Sequence, residues 1–131
     1  MARSLRHETQ IFITEASNKG YAWGENDCAL FANNYLVKFF DFPDLGEKFR
    51  GKYTDYKGAL QTLRENGYED VPSIAEKNLQ ETQRPRVGDI ALYIDGRSLG
   101  ICCGEYSWFL GMGKTLVKLP TRMCKKVWRY L

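Results

Sequence analysis

The first 80 residues of the chain place apolar side chains at the three- and four-residue spacing of amphipathic helices. Leu5, Phe12 and Ala16 recur at this spacing and Gly20 follows them, which predicts a first helix that stops at Gly20. Two later segments, TDYKGALQTLRENG and PSIAEKNL, predict further helices, because each has a residue suited to a helix start ahead of its apolar positions.

The segment CALFANNYLVKFF, residues 28–40, predicts the central helix of the core. Apolar side chains surround most of its circumference, as is typical of a helix that is buried on several sides. Asn26 or Asp27 can cap its N-terminus, and Pro43 prevents it from continuing.

Beyond Arg86 the pattern changes to short runs that are rich in β-branched and aromatic residues. Turn signals such as Asp95-Gly96 and Gly113-Lys114 separate them, so we expect hairpins and an antiparallel meander. The five predicted strands lie in VGDIALYI, LGICCG, SWFLGM, TLVKLP and KVWRYL. Helices followed by a sheet predict an α+β fold in one domain, 1–131, with a helical part at about 1–80 and a sheet part at about 86–131.

The composition excludes several functional classes. The chain has 131 residues and a net charge of +3, which does not indicate a nucleic-acid partner. Four cysteines form no CxxC pair and only one histidine is present, so we predict reduced thiols and neither a metal site nor a cofactor. No stretch has the apolar length of a membrane span, and the N-terminus does not resemble a signal peptide.

Cys28 is the main candidate for chemistry. A cysteine at a helix N-terminus can become a thiolate nucleophile, because unpaired amides and the helix dipole favour negative charge. A cysteine hydrolase also needs a base, and no histidine follows His7 in the sequence. The other interpretation of Cys28 is a small buried residue of the core.

Two segments resemble NlpC-type cell-wall peptidases, which have a compact papain-like fold. NDCALFANNYL is similar to the helix that carries their catalytic cysteine, and RVGDIALYIDGRSLGICCGEYSWFL is similar to their first strands. The resemblance aligns Cys28 with the nucleophile and Ser98 with the catalytic histidine. Serine is no base near neutral pH, which favours a protein that has lost catalysis. An exposed helical position is the simpler interpretation of His7.

The whole chain resembles a small phage-encoded family whose genes lie among tail genes. Shared features are a tryptophan before Asp-Cys, the segment Arg50-Gly51-Lys52-Tyr53, a Gly-Asp-Ile strand and a late tryptophan. The resemblance implies a virion or tail-assembly protein that is built in the host cytoplasm, binds other virion or tail proteins, and takes its oligomeric context from the assembly. The alternatives are a thiol hydrolase of cell-wall peptides with Cys28 as nucleophile, and a small host-targeting binding protein or inhibitor.

Three further residues are candidates for the cleft beside Cys28. Asp27 could orient a base or cap the helix, and Asp89 could line the cleft or hold a turn. Trp23, with the tyrosines of the neighbouring loops, could form a binding groove or cover the core.

Overall fold

Four helices precede most of the sheet in the computed structural model, which describes residues 4–131. They are α1 (Leu5–Lys19), α2 (Cys28–Phe40), α3 (Tyr56–Glu65) and α4 (Val71–Asn78). Each begins after a residue whose side chain accepts a backbone N–H of the first turn, and these capping residues are Ser4, Asp27, Asp55 and Asp70. The four predicted helices are confirmed.

Six strands form one sheet in which all neighbouring strands are antiparallel. They are β1 (Gln80–Glu81), β2 (Ile90–Leu92), β3 (Leu99–Cys102), β4 (Tyr106–Leu110), β5 (Leu116–Pro120) and β6 (Lys126–Arg129). The five predicted strands are confirmed, and the arrangement is α+β with the helices first. Strand β1 was not predicted, because its two exposed polar residues carry no strand pattern.

The predicted meander ends at β5. The strand order is β1-β6-β2-β3-β4-β5, so β6 lies beside β2 and the expected hairpin between β5 and β6 was wrong. A 3-10 helix, Thr121–Met123, separates these two strands. Packing explains why β6 lies beside β2, because Val127 of β6 joins Ala91, Phe109 and Leu119 in a small second core.

The main core lies between the helices and the sheet. Leu30, Phe31 and Tyr35 of α2 are almost fully buried, and Ile101 and Trp128 of the sheet belong to the same cluster. The all-round apolar pattern of α2 therefore reflects its position in the middle of the core. This position fixes the N-terminus of α2, and Cys28 with it, at one end of β3.

Candidate functional site

Cys28 and Ser98 border the same cleft, which has a volume of about 290 Å³. The cleft lies where the N-terminus of α2 meets the β2–β3 turn and the end of β4. The structure therefore brings together the two residues that the sequence aligned with a catalytic pair. The other lining residues are Tyr21, Trp23, Tyr56, Val71, Asp95, Arg97, Leu110, Gly111 and Met112.

Asp27 makes Cys28 the first residue of α2. Its carboxylate is only 1% exposed and accepts hydrogen bonds from Gly24 N at 2.9 Å, Leu30 N at 3.0 Å and the Tyr53 hydroxyl at 2.6 Å. Both oxygens are thus occupied by partners of the fold, and the capping role predicted for Asp27 is observed. Asp27 lies beneath the cleft and does not line it.

Asn26, the other predicted cap, joins the two first helices instead. Its side-chain amide donates to Ala16 O at 2.7 Å and to Gly20 O at 2.9 Å, both at the end of α1. An antiparallel bridge between Ala22 and Asn26 closes the loop between them. This closed loop places Tyr21 and Trp23 next to Cys28.

The environment of Cys28 holds its side chain as a neutral thiol. The side chain is 8% exposed, and burial, together with the negative charge of Asp27, raises its pKa from 9.0 to about 11. Hydrogen bonds from Leu99 N–H and the Tyr21 hydroxyl act in the opposite direction but do not reverse the shift. At neutral pH the thiolate population is therefore small.

The Tyr21 hydroxyl lies within hydrogen-bonding reach of the Cys28 thiol. Burial and the nearby Cys28 and Asp27 raise the pKa of its phenol far above the usual range. The phenol therefore stays protonated at neutral pH and cannot accept a proton from a thiol. No local sequence pattern predicts this contact, because it depends on the closed loop before α2.

Three aromatic rings form one wall of the cleft. Tyr21 and Trp23 meet at 5.1 Å between ring centroids, and Trp23 and Tyr56 at 5.9 Å. Trp23 is half-buried, so it contributes both to the core and to the cleft surface. Tyr53, the fourth aromatic residue of these loops, is buried against Asp27.

His7 is remote from Cys28. It lies in the first turn of α1, where neighbouring Arg6 donates to Cys103 O at 2.8 Å, beyond the far end of β3. The end of α1 that contacts Asn26 is nine residues further on at Ala16, or about 14 Å along the helix. His7 is exposed and cannot reach the thiol as a base.

Asp89 lies at the opposite end of β2 and β3 from Ser98, outside the cleft. It accepts from Arg129 Nε and Nη2 at 2.9 Å each, and from Arg86 N at 2.8 Å. This bidentate pair and the backbone contact support the turn into β2, which was the structural alternative for Asp89.

Within residues 4–131, no group of three or more His, Cys, Asp or Glu side chains could hold a metal ion, and no helix has the length and apolar character needed to cross a membrane. No curated protein and no solved structure matches the chain. A family model described as a domain of unknown function, DUF6950, matches residues 3–130. This match spans almost the whole sequence, and the chain belongs to the DUF6950 family.

Proposed function

We propose that this protein is a non-catalytic virion or tail-assembly protein of a bacteriophage, built on a degenerate NlpC-type fold, and that its Cys28 cleft docks a protein partner. The observation that carries the proposal is the state of Cys28. Its thiol is buried, has a pKa of about 11, and has no imidazole within reach. Hydrolysis would need a thiolate and a proton donor for the leaving amine.

The walls of the cleft suit a protein ligand. Tyr21, Trp23 and Tyr56 offer rings with polar edges, which are common in protein interfaces. Met112 is 68% exposed at the rim, and methionine adapts its shape to the side chains that it contacts. Ser98 adds a hydroxyl that has no protein hydrogen bond of its own in the part of the chain that the structure describes.

The proposal that a bacteriophage encodes this protein rests on the sequence resemblance. The Asp27-Cys28 motif and the Gly-Asp-Ile strand contribute most to that resemblance. A tail or virion protein needs surfaces that bind neighbours, and an inherited cleft without catalysis provides one. The proposal therefore joins two parts, a setting and a surface, that one experiment on phage particles can test together.

The experiment compares the incorporation of variants into purified particles of the phage that encodes the chain, measured by quantitative mass spectrometry. We expect Tyr56→Ala combined with Met112→Ala to lower incorporation at least tenfold. Cys28→Ala should be incorporated normally, because the thiol has no chemical role.

The matched control combines Tyr106→Ala with Met123→Ala, the same residue types at exposed positions outside the cleft. Its incorporation should equal that of the natural protein. Absence of the natural protein from particles would refute the phage setting, and equal incorporation of both double variants would refute docking in the cleft.

A thiol hydrolase of cell-wall peptides is the second candidate. It is favoured by the position of Cys28 as the first residue of α2, where it borders the cleft and receives the Leu99 N–H. Cleavage of peptidoglycan fragments by the natural protein, lost in a folded Cys28→Ala variant, would establish this candidate. Gain of cleavage in Ser98→His would instead show that the cleft descends from a peptidase site.

A further inference from the structure

A polar groove of about 370 Å³ continues from the Cys28 cleft along the β2–β3 turn. Cleft and groove share four lining residues, Tyr56, Val71, Asp95 and Arg97, so they form one continuous depression between this turn and the starts of α3 and α4. The cleft is largely apolar on its aromatic side, whereas the groove carries most of the charge. A ligand that spans both must therefore combine apolar and charged groups.

Three cations line the groove without a carboxylate partner. Among residues 4–131, no ion pair includes Arg64, Arg97 or Lys125. Arg64 donates only to the backbone carbonyl of Glu69, at 3.3 Å. The ammonium of Lys125 rests against the turn, where a Cβ placed on Gly96 would lie 3.3 Å from it.

Two of the three carboxylates that line the groove, those of Asp70 and Asp95, accept hydrogen bonds from nearby backbone or hydroxyl donors. Asp70 caps α4 by accepting from Ser73 N at 3.0 Å and Ser73 Oγ at 2.6 Å. Asp95 accepts from the backbone N–H groups of Arg97 at 2.8 Å and Ser98 at 3.3 Å. Glu69, the third carboxylate in the lining, forms no ion pair with these cations either. Arg97 and Lys125 thus remain available to carboxylates from outside.

We propose that the groove binds an extended acidic segment of the protein partner, with carboxylates at Arg97 and Lys125 and an apolar side chain in the Cys28 cleft. This inference rests on the proposed docking function and names the chemistry of the partner. A peptide fits better than a nucleic acid, because isolated carboxylates can avoid Glu69, Asp70 and Asp95, whereas a continuous row of phosphates would be repelled by them.

The test is a selection from yeast-displayed random dodecapeptides against the natural protein, followed by titration of the most enriched synthetic peptide. We expect enriched sequences to contain at least two acidic residues beside an apolar one. Replacing those acids with their amides should weaken binding at least tenfold, as should Arg97→Glu combined with Lys125→Glu. The control, Arg122→Glu combined with Lys48→Glu, makes the same charge change at exposed sites outside the groove and should alter binding less than twofold.

Mapping the chemical shifts of the protein's backbone amides in the presence of the peptide distinguishes a failure of the acidic-segment proposal from a failure of the docking function. Peptides that perturb the amides of Cys28 and Leu99 but carry no acidic residue would overturn the acidic-segment proposal and leave docking intact. Peptides that bind elsewhere, or no enrichment at all, would overturn both. Tighter binding of a twelve-nucleotide oligo-dT than of any peptide, lost in the Arg97→Glu and Lys125→Glu variant, would assign the groove to nucleic acid instead.

Discussion

Asp27→Ala should be among the most damaging single substitutions around the cleft, because it removes a buried charge that satisfies three donors. The donors are Gly24 N, Leu30 N and the Tyr53 hydroxyl, at 2.6–3.0 Å. A hydrogen bond to a charged group contributes about 1.5–3 kcal/mol, and a buried donor left without a partner costs a similar amount. Allowing for the desolvation of the carboxylate, which the variant no longer bears, we expect a net loss of about 4 kcal/mol.

Asp55→Ala is the matched control for this substitution. Asp55 also caps a helix, α3, but its carboxylate is exposed and accepts a single bond, from Gly58 N at 2.7 Å. Loss of such a cap costs about 1 kcal/mol. Both variants are compared with the natural protein by urea denaturation, with the slope of the transition checked for constancy. If Asp27→Ala costs no more than Asp55→Ala, the buried network beneath Cys28 does not exist as described.

Three other substitutions test the core and the thiol. Phe31→Ala should lower the free energy of unfolding by about 3–5 kcal/mol, since Phe31 is 1% exposed, and a loss under about 1 kcal/mol in urea would contradict its place in the core. Gly100→Ala should destabilise the protein by about 2 kcal/mol or more, because its Cβ would lie 2.4 Å from both the Phe109 ring and Trp108 O; an unchanged melting curve would contradict this packing. Cys28→Ala should reduce the loss of stability at alkaline pH. The pKa of about 11 in the folded protein exceeds the ordinary 9.0, so the stability that the neutral thiol contributes is complete below pH 9 and is lost as the pH rises through 11, a difference of about 3 kcal/mol. Identical profiles of unfolding free energy against pH for the variant and the natural protein would refute this prediction.

The sequence was most informative where local chemistry decides the structure. The sequence analysis limited the N-terminal cap of α2 to Asn26 or Asp27, and the structure shows that Asp27 is the cap. Hydrophobic pattern and turn signals also located five strands. Each of these features depends on neighbours within a few residues, which a pattern can reveal.

The features that the sequence missed depend on distant partners. The place of β6 beside β2 follows from the packing of Val127 against Ala91 and Leu119, and nothing in the local pattern of KVWRYL predicts it. The role of Asp89 was left open because Arg129, its partner, lies 40 residues away. The cations Arg97 and Lys125 likewise line the same groove only because β6 lies beside β2.

The pH dependence of Cys28 alkylation by iodoacetamide tests most directly whether Cys28 is held as a neutral thiol. Mass spectrometry at the peptide level separates its alkylation from that of the other three cysteines. The inflection of the rate is the readout, because burial slows alkylation at every pH whereas the inflection reports the pKa. The structure predicts an inflection near pH 11. An inflection below pH 8, with fast alkylation at neutral pH, would show an activated nucleophile and contradict the non-catalytic function.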